Sequence, residues 1–214
     1  NNVSVGSEAL ENNTTGSGHV AVGREALHLN TTGSENTAMG YGALANNTTG
    51  DYNTGIGREA LQMNTTASNN TAVGYQALEE NTTGASNVAV GALALDANTT
   101  GGANIGIGYG SLGSNTTANN NTAVGYDSLG ANINGTQNVA FGNYVLDGNS
   151  TGSHNTGLGY NALTGNTTAS NNTAVGSQAL RVNSTGTANV AVGAFALDAN
   201  TTGESIVAIG KDAL

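Results

Sequence analysis

Residues 69–101, NNTAVGYQALEENTTGASNVAVGALALDANTTG, state one phrase twice: NNTAVGYQALEENTTG over 69–84, then SNVAVGALALDANTTG over 86–101. Working outward, the same phrase recurs along the whole chain. Glycines stand 17 residues apart, from Gly6, Gly23 and Gly40 through to Gly210, without an insertion. Four residues after each glycine comes a leucine, from Leu10 to Leu214. Three residues after each of the first twelve leucines comes an asparagine, from Asn13 to Asn200. The 214 residues therefore form a single array, 1–214, of about 12.6 units. A slower beat of 51 residues lies on top, because Ala67, Ala118 and Ala169 replace the glycine that follows the Thr pair. Duplication of a three-unit block is one account of that beat, and a three-coil surface pattern with a purpose is the other.

A period of 17 is too short for two helices per repeat, and the composition disfavours even one. Gly is a poor helix former, and Asn and Thr favour turns and strands. Triplets such as Val88-Ala89-Val90 and Ile105-Gly106-Ile107 alternate large and small with the period of a strand. The Tyr-Gln-Ala-Leu segment offers a second short strand, and Asn-Thr-Thr-Gly reads as a polar turn. The expected fold is all-β: a parallel β-solenoid, one 17-residue coil per repeat, each coil pairing with its neighbours. The Leu and Val/Ile columns are expected inside. The recurrent glycine is expected to need positive φ or to leave no room for a Cβ. The small column of Ala21, Ala38, Gly55, Ala72, Ala89 and Gly106 implies close contact with another layer or another chain.

Bulk properties narrow the function. The net charge is −10, from 14 acids against 4 bases, which leaves no basic patch to neutralise nucleic-acid phosphates. No apolar run approaches the ~20 residues of a membrane-spanning helix, so no membrane insertion is expected. With no Cys there is neither a disulfide nor a thiolate metal site. The chain begins inside the repeat, as a slice of a longer fibre would.

The phrases NVAVGALAL (87–95), NVAVGAFAL (189–197) and SIVAIGKDAL (205–214) resemble the head repeats of YadA-like trimeric autotransporter adhesins. NNTAVGYQAL resembles repeats of bacterial and phage tail-fibre-like proteins. The likeness covers the whole chain, once per coil. It implies a left-handed β-roll, a homotrimer wound about one axis, and an extracellular fibre used for attachment. The adhesin repeat is shorter and lacks the Asn-Thr-Thr-Gly turn.

Three readings compete for that turn. It is a structural turn and Asn ladder, or a glycan acceptor, or an ice-binding Thr array. Asn13, Asn30, Asn47, Asn64, Asn81, Asn98, Asn115, Asn149, Asn166, Asn183 and Asn200 all satisfy the N-x-[ST] sequon. In the remaining coil Asn132 loses it, but Asn134-Gly135-Thr136 restores one. These twelve asparagines are the expected glycosylation candidates, on an exposed outer turn. Adjacent Thr residues of a strand face opposite sides, which weakens the ice-binding reading.

No catalytic, cofactor-binding or metal-binding residues are expected, and the chain does not read as an enzyme. His19, His28 and His154 lie at scattered repeat positions and read as surface substitutions. Glu8, Glu25, Glu59, Asp127 and Asp212 share a column with Gly, Gln, Asn and Leu, as a solvated face does. The one row with binding potential is Tyr41, Tyr75, Tyr109, Tyr126 and Tyr160, each following the recurrent glycine. Such a row would stack on cell-surface or matrix glycans, or pack against a neighbouring coil or chain. The expected function is a structural or adhesive extracellular fibre segment that associates with itself. A glycan-binding phage or cell-surface fibre and an ice-binding solenoid are the alternatives.

Overall fold

The computed structural model describes residues 1–214. It contains no helix, and so none that could cross a membrane. Thirteen strands of 3 residues, from β1 (Val3–Val5) and β2 (Val20–Val22) to β13 (Val207–Ile209), form one parallel sheet in sequence order. Each strand pairs with the next at an offset of one repeat: Val3 faces Val20, Ser4 faces Ala21 and Val5 faces Val22. At about 4.8 Å per strand the array is about 60 Å long.

Each coil has this one strand and no second. The segment expected to be a second strand is a chain of tight turns in which the residue two before the leucine, a glycine only at Gly42 and Gly110, and then the leucine adopt left-handed conformations. Glu25 has φ 61° and Leu27 φ 52°, and Leu112 and Leu180 repeat this at 55° and 50°. Left-handed geometry costs an L-residue roughly 1–2 kcal/mol. The leucine is held there because it supplies the largest side chain of the interior, and Leu27 through Leu180 are wholly buried. The recurrent glycine needs both properties expected of it. Gly108 has φ 129°, and a Cβ there would lie 2.3 Å from the Gly125 carbonyl oxygen of the next coil.

The sheet faces the opposite way from the sequence expectation. The small middle residue of each strand points inward, and Ala21, Ala38, Ala72 and Ala89 are completely buried. Across the coil, a Cβ on Gly55 would stand 3.3 Å from Leu44 Cγ. The close layer implied by the small column is thus the leucine column of the same chain. Leucine and small residues fill the apolar interior of nearly every coil, and the first and third strand residues face outward.

The other half of the interior is polar. One buried asparagine column runs from Asn30 to Asn183, and a second from Asn36 to Asn189. The coil is therefore half apolar and half a stack of amides, and no buried side-chain polar atom lacks a partner.

Candidate functional site

The asparagine-led turn recurs in each of the first twelve coils, as Asn-Thr-Thr in nine of them. Asn47 Nδ2 donates to Asn30 Oδ1 of the preceding coil at 2.9 Å and to the Gly50 carbonyl of its own coil at 3.0 Å. Asn64 does the same to Asn47 and Ala67, at 2.8 and 3.0 Å. The pattern continues up the array to Asn200. Both amide hydrogens are used, and each side-chain oxygen receives the next amide. The second column closes the same carbonyls from the other side, as when Asn36 Nδ2 donates to Gly50 O at 2.7 Å. Asn36 Oδ1 in turn accepts the Asn53 backbone N–H at 2.8 Å.

This corrects the placement of the glycosylation candidates. Asn30, Asn47, Asn64, Asn81, Asn98, Asn115, Asn149, Asn166 and Asn183 have no exposed surface, and Asn13 and Asn200 at the ends are partly buried. A glycan on Nδ2 would replace a ladder hydrogen and would have to occupy the coil interior. Asn132, whose coil lost the sequon, stays in the ladder, donating to Asn115 Oδ1 and Gly135 O, both at 3.0 Å. The column is retained for its amide. Of the twelve candidates only Asn134 is exposed. It occupies the second Thr position, where its Oδ1 accepts from Thr117 Oγ1 at 3.2 Å.

The paired threonines do not share one flat face. Thr31, Thr48, Thr65, Thr82 and Thr99 each donate Oγ1 to the carbonyl of the matching residue one coil on. Their neighbours Thr32, Thr49, Thr66, Thr83 and Thr100 are exposed.

The tyrosine row lies on the surface as two clusters. In the first, Arg24 and Arg58 lie 5.6 and 5.7 Å from the Tyr41 ring centre, and Arg58 is also 5.8 Å from Tyr75. Each Arg is paired with the next residue, Glu25 or Glu59. In the second, Tyr109 and Tyr126 stack at 5.2 Å and 13°, followed by Tyr144 and Tyr160 edge-on at 5.3 and 6.3 Å. Tyr144 was missed in the sequence because it stands one position out of the column. The rings stack along the array, so Tyr109 and Tyr126 cover a face of each other and Tyr41 is flanked by guanidinium groups.

Beside Tyr109 the repeat is pruned to glycine at Gly110, Gly113 and Gly130, opening a shallow notch of about 440 Å³. Asp96, Asp127 and Asp147 border it. Burial raises the Asp96 and Asp147 carboxyls above the ordinary range, and Asp127 adds charge repulsion at Asp147. None of the three is ion-paired; the bases pair elsewhere. No three His, Asp or Glu side chains gather closely enough to hold a metal ion.

His28 is half-buried, 3.4 Å from Glu11, and His154 is exposed. His19 is not a surface substitution. It replaces an asparagine of the second ladder and is 1% exposed. Its Nδ1 accepts the Asn36 backbone N–H at 3.2 Å, as an asparagine Oδ1 does in other coils, leaving Nε2 to bond the Gly33 backbone carbonyl. Burial lowers its pKa from the usual 6.5, partly opposed by the Gly33 backbone carbonyl.

Comparison with protein-family models, curated proteins and solved structures finds no match to this chain.

Proposed function

We propose that this chain is a segment of an extracellular structural and adhesive fibre, in which copies pack through the outer face of the sheet. The role is mechanical and not catalytic. One observation carries the reading. The third strand position faces outward and is apolar in every coil, and the first, also outward, is Val or Ile in seven coils and Thr in six; Met39, Ile56, Ile105, Ile107, Phe141 and Leu158 are each at least 37% exposed. The stripe is about 60 Å by 10 Å, or on the order of 600 Å² with its Thr positions counted, and its apolar part lies within the range of the largest patch on a monomer. Parallel sheets are ordinarily covered on both faces, and only one face of this sheet is covered by its own chain. The net charge of −10 keeps the remaining surface soluble. The likeness to trimeric adhesin heads supports three copies around this stripe.

Sedimentation equilibrium tests the assembly. The intact chain should give a multiple of 21.0 kDa, with three copies the expected number. Val73→Asp with Val90→Asp, both outward in their strands, should give a single chain with an unchanged β spectrum. A wild-type mass of 21.0 kDa would overturn the reading.

The notch favours a second, ligand-binding role for the same segment. Tyr109 and the carboxylates of Asp96, Asp127 and Asp147 offer a ring edge and several acceptors to saccharide hydroxyls. If the notch binds, Asp127→Asn with Tyr109→Ala should abolish retention on a saccharide array while leaving assembly intact. Equal retention by the variant removes this role.

A further inference from the structure

The ladder closes one set of sequons and leaves another open. Outside the ladder column, N-x-[ST] occurs at Asn2, Asn12, Asn46, Asn69, Asn120, Asn134 and Asn171. Asn2 and Asn12 spend Nδ2 on carbonyls of Gly16 and His28, and Asn46 points its amide at Met63 Sδ. Asn134 accepts a threonine hydroxyl, and its own Thr136 is in contact with Ser153. Asn69, Asn120 and Asn171 differ from all of these. Their side chains are exposed and make no hydrogen bond within the chain, and neither do the hydroxyls of Thr71, Thr122 and Thr173 two residues on.

The backbone explains the arrangement. Asn69, Asn120 and Asn171 sit at a corner with φ of 63°, 61° and 64°. The next residue, Asn70, Asn121 or Asn172, turns inward to the second ladder and is fully buried. The threonine after it lies on the outer side of the strand, so sequon Asn and Thr both face out. The three sites are 51 residues apart, which is three coils, or about 14 Å along the array. A sugar on every coil would be spaced at only about 4.8 Å. The next coil presents Ser86, Gln137 or Ala188 at the same corner.

We propose that Asn69, Asn120 and Asn171 are the N-glycan attachment sites, one per 51-residue block. The proposal rests on the extracellular reading above. The donor is a lipid-linked saccharide diphosphate. Asparagine Nδ2 bonds to the sugar anomeric carbon, the bond from that carbon to the diphosphate oxygen breaks, and one amide proton leaves with the diphosphate. The product keeps the neutral amide at a corner where no internal bond has been given up.

The test is secretion of the full chain from a glycosylating host. Peptide mass mapping follows, after enzymatic deglycosylation in heavy-oxygen water, which marks each formerly occupied Asn. Expected is occupancy at Asn69, Asn120 and Asn171 and none at Asn30 to Asn183 of the ladder in folded, secreted protein. Occupancy within the ladder of folded protein, or none at the three corners, overturns the proposal. Asn69→Gln, Asn120→Gln and Asn171→Gln together should remove all sugar and leave the β spectrum unchanged, since Gln137 already occupies this corner with φ 58°. Retained sugar in that variant also overturns it. Occupancy is read on peptides and does not depend on assembly. A glycosylated single chain would therefore sink only the fibre reading, and an assembled chain without sugar only this one.

Discussion

Asn132 keeps its place in the ladder although its neighbours no longer make a sequon, and this separates two roles for the turn residues. Asn98 carries three such bonds, to Asn81, to Gly101 and from Asn115, at 2.8, 3.0 and 2.9 Å. Asn98→Ala leaves Asn81 Oδ1 and one Asn115 amide hydrogen buried and unpaired, at about 1–3 kcal/mol per group, while the Gly101 carbonyl keeps its bond from Asn87 Nδ2 at 2.8 Å. Thr100→Ala destroys the same sequon and touches no ladder bond, so chemical denaturation should show a change within about 0.5 kcal/mol. His19 gives a pH signature. Because burial favours its neutral ring, its contribution is complete above the unfolded pKa near 6.5 and drains away as pH falls towards the lower folded value. Protonation turns Nδ1 from acceptor into donor, facing the Asn36 N–H. Hydrogen exchange at Asn36 should accelerate between pH 7 and pH 5 beyond the intrinsic trend, and His19→Asn should remove the effect. At this scale the sequence was legible in part. A stacked Asn ladder was foreseeable from the period, but its location inside the coil was not. Sequons and turns both suggest surface, and only the second asparagine column, closing the same carbonyls, makes an interior amide stack satisfiable.

Within one coil, width decides which side of the strand is buried. Alternation in Val88-Ala89-Val90 says that the valines share a side but not which side that is. The answer lies with the leucine opposite, held at φ 53° in Leu95, a conformation that composition does not announce. The same left-handed turns explain why the Ala-Leu segment is not a strand. Coil nine contains a natural control. Val145 replaces the usual alanine, and the facing small residue is Gly157, where a Cβ would meet Val145 Cγ1 at 2.4 Å. Gly157→Ala should cost about 1–3 kcal/mol by overpacking, and Val145→Ala in the same chain should recover most of it. A double-mutant cycle by denaturation checks this; additive effects would mean the two do not face each other. In the middle of the leucine column, Leu112→Ala should cost about 2–5 kcal/mol, since the column is wholly buried and its neighbours are held by the ladder.

Over the whole molecule, stability is a sum of nearly identical interfaces between coils. The repeat period and the single array could be read from residue spacing, and the β-solenoid from that spacing together with the strand-like alternation and the turn residues in each phrase. The outer apolar stripe could not, since the sequence pattern assigns those residues equally well to the interior. The stripe is what makes self-association the central claim, and it can be tested at the midpoint of the array. Ile107 lies in the seventh of thirteen strands, so aligned copies bring it beside itself whether they run parallel or antiparallel. The chain has no Cys, which leaves a clean background. Under mild oxidation Ile107→Cys, on the stripe, should form a disulfide between chains. Thr100→Cys, exposed on the turn, should remain a single chain. Cross-linking of Thr100→Cys alone, or of neither variant, would contradict packing through the sheet face.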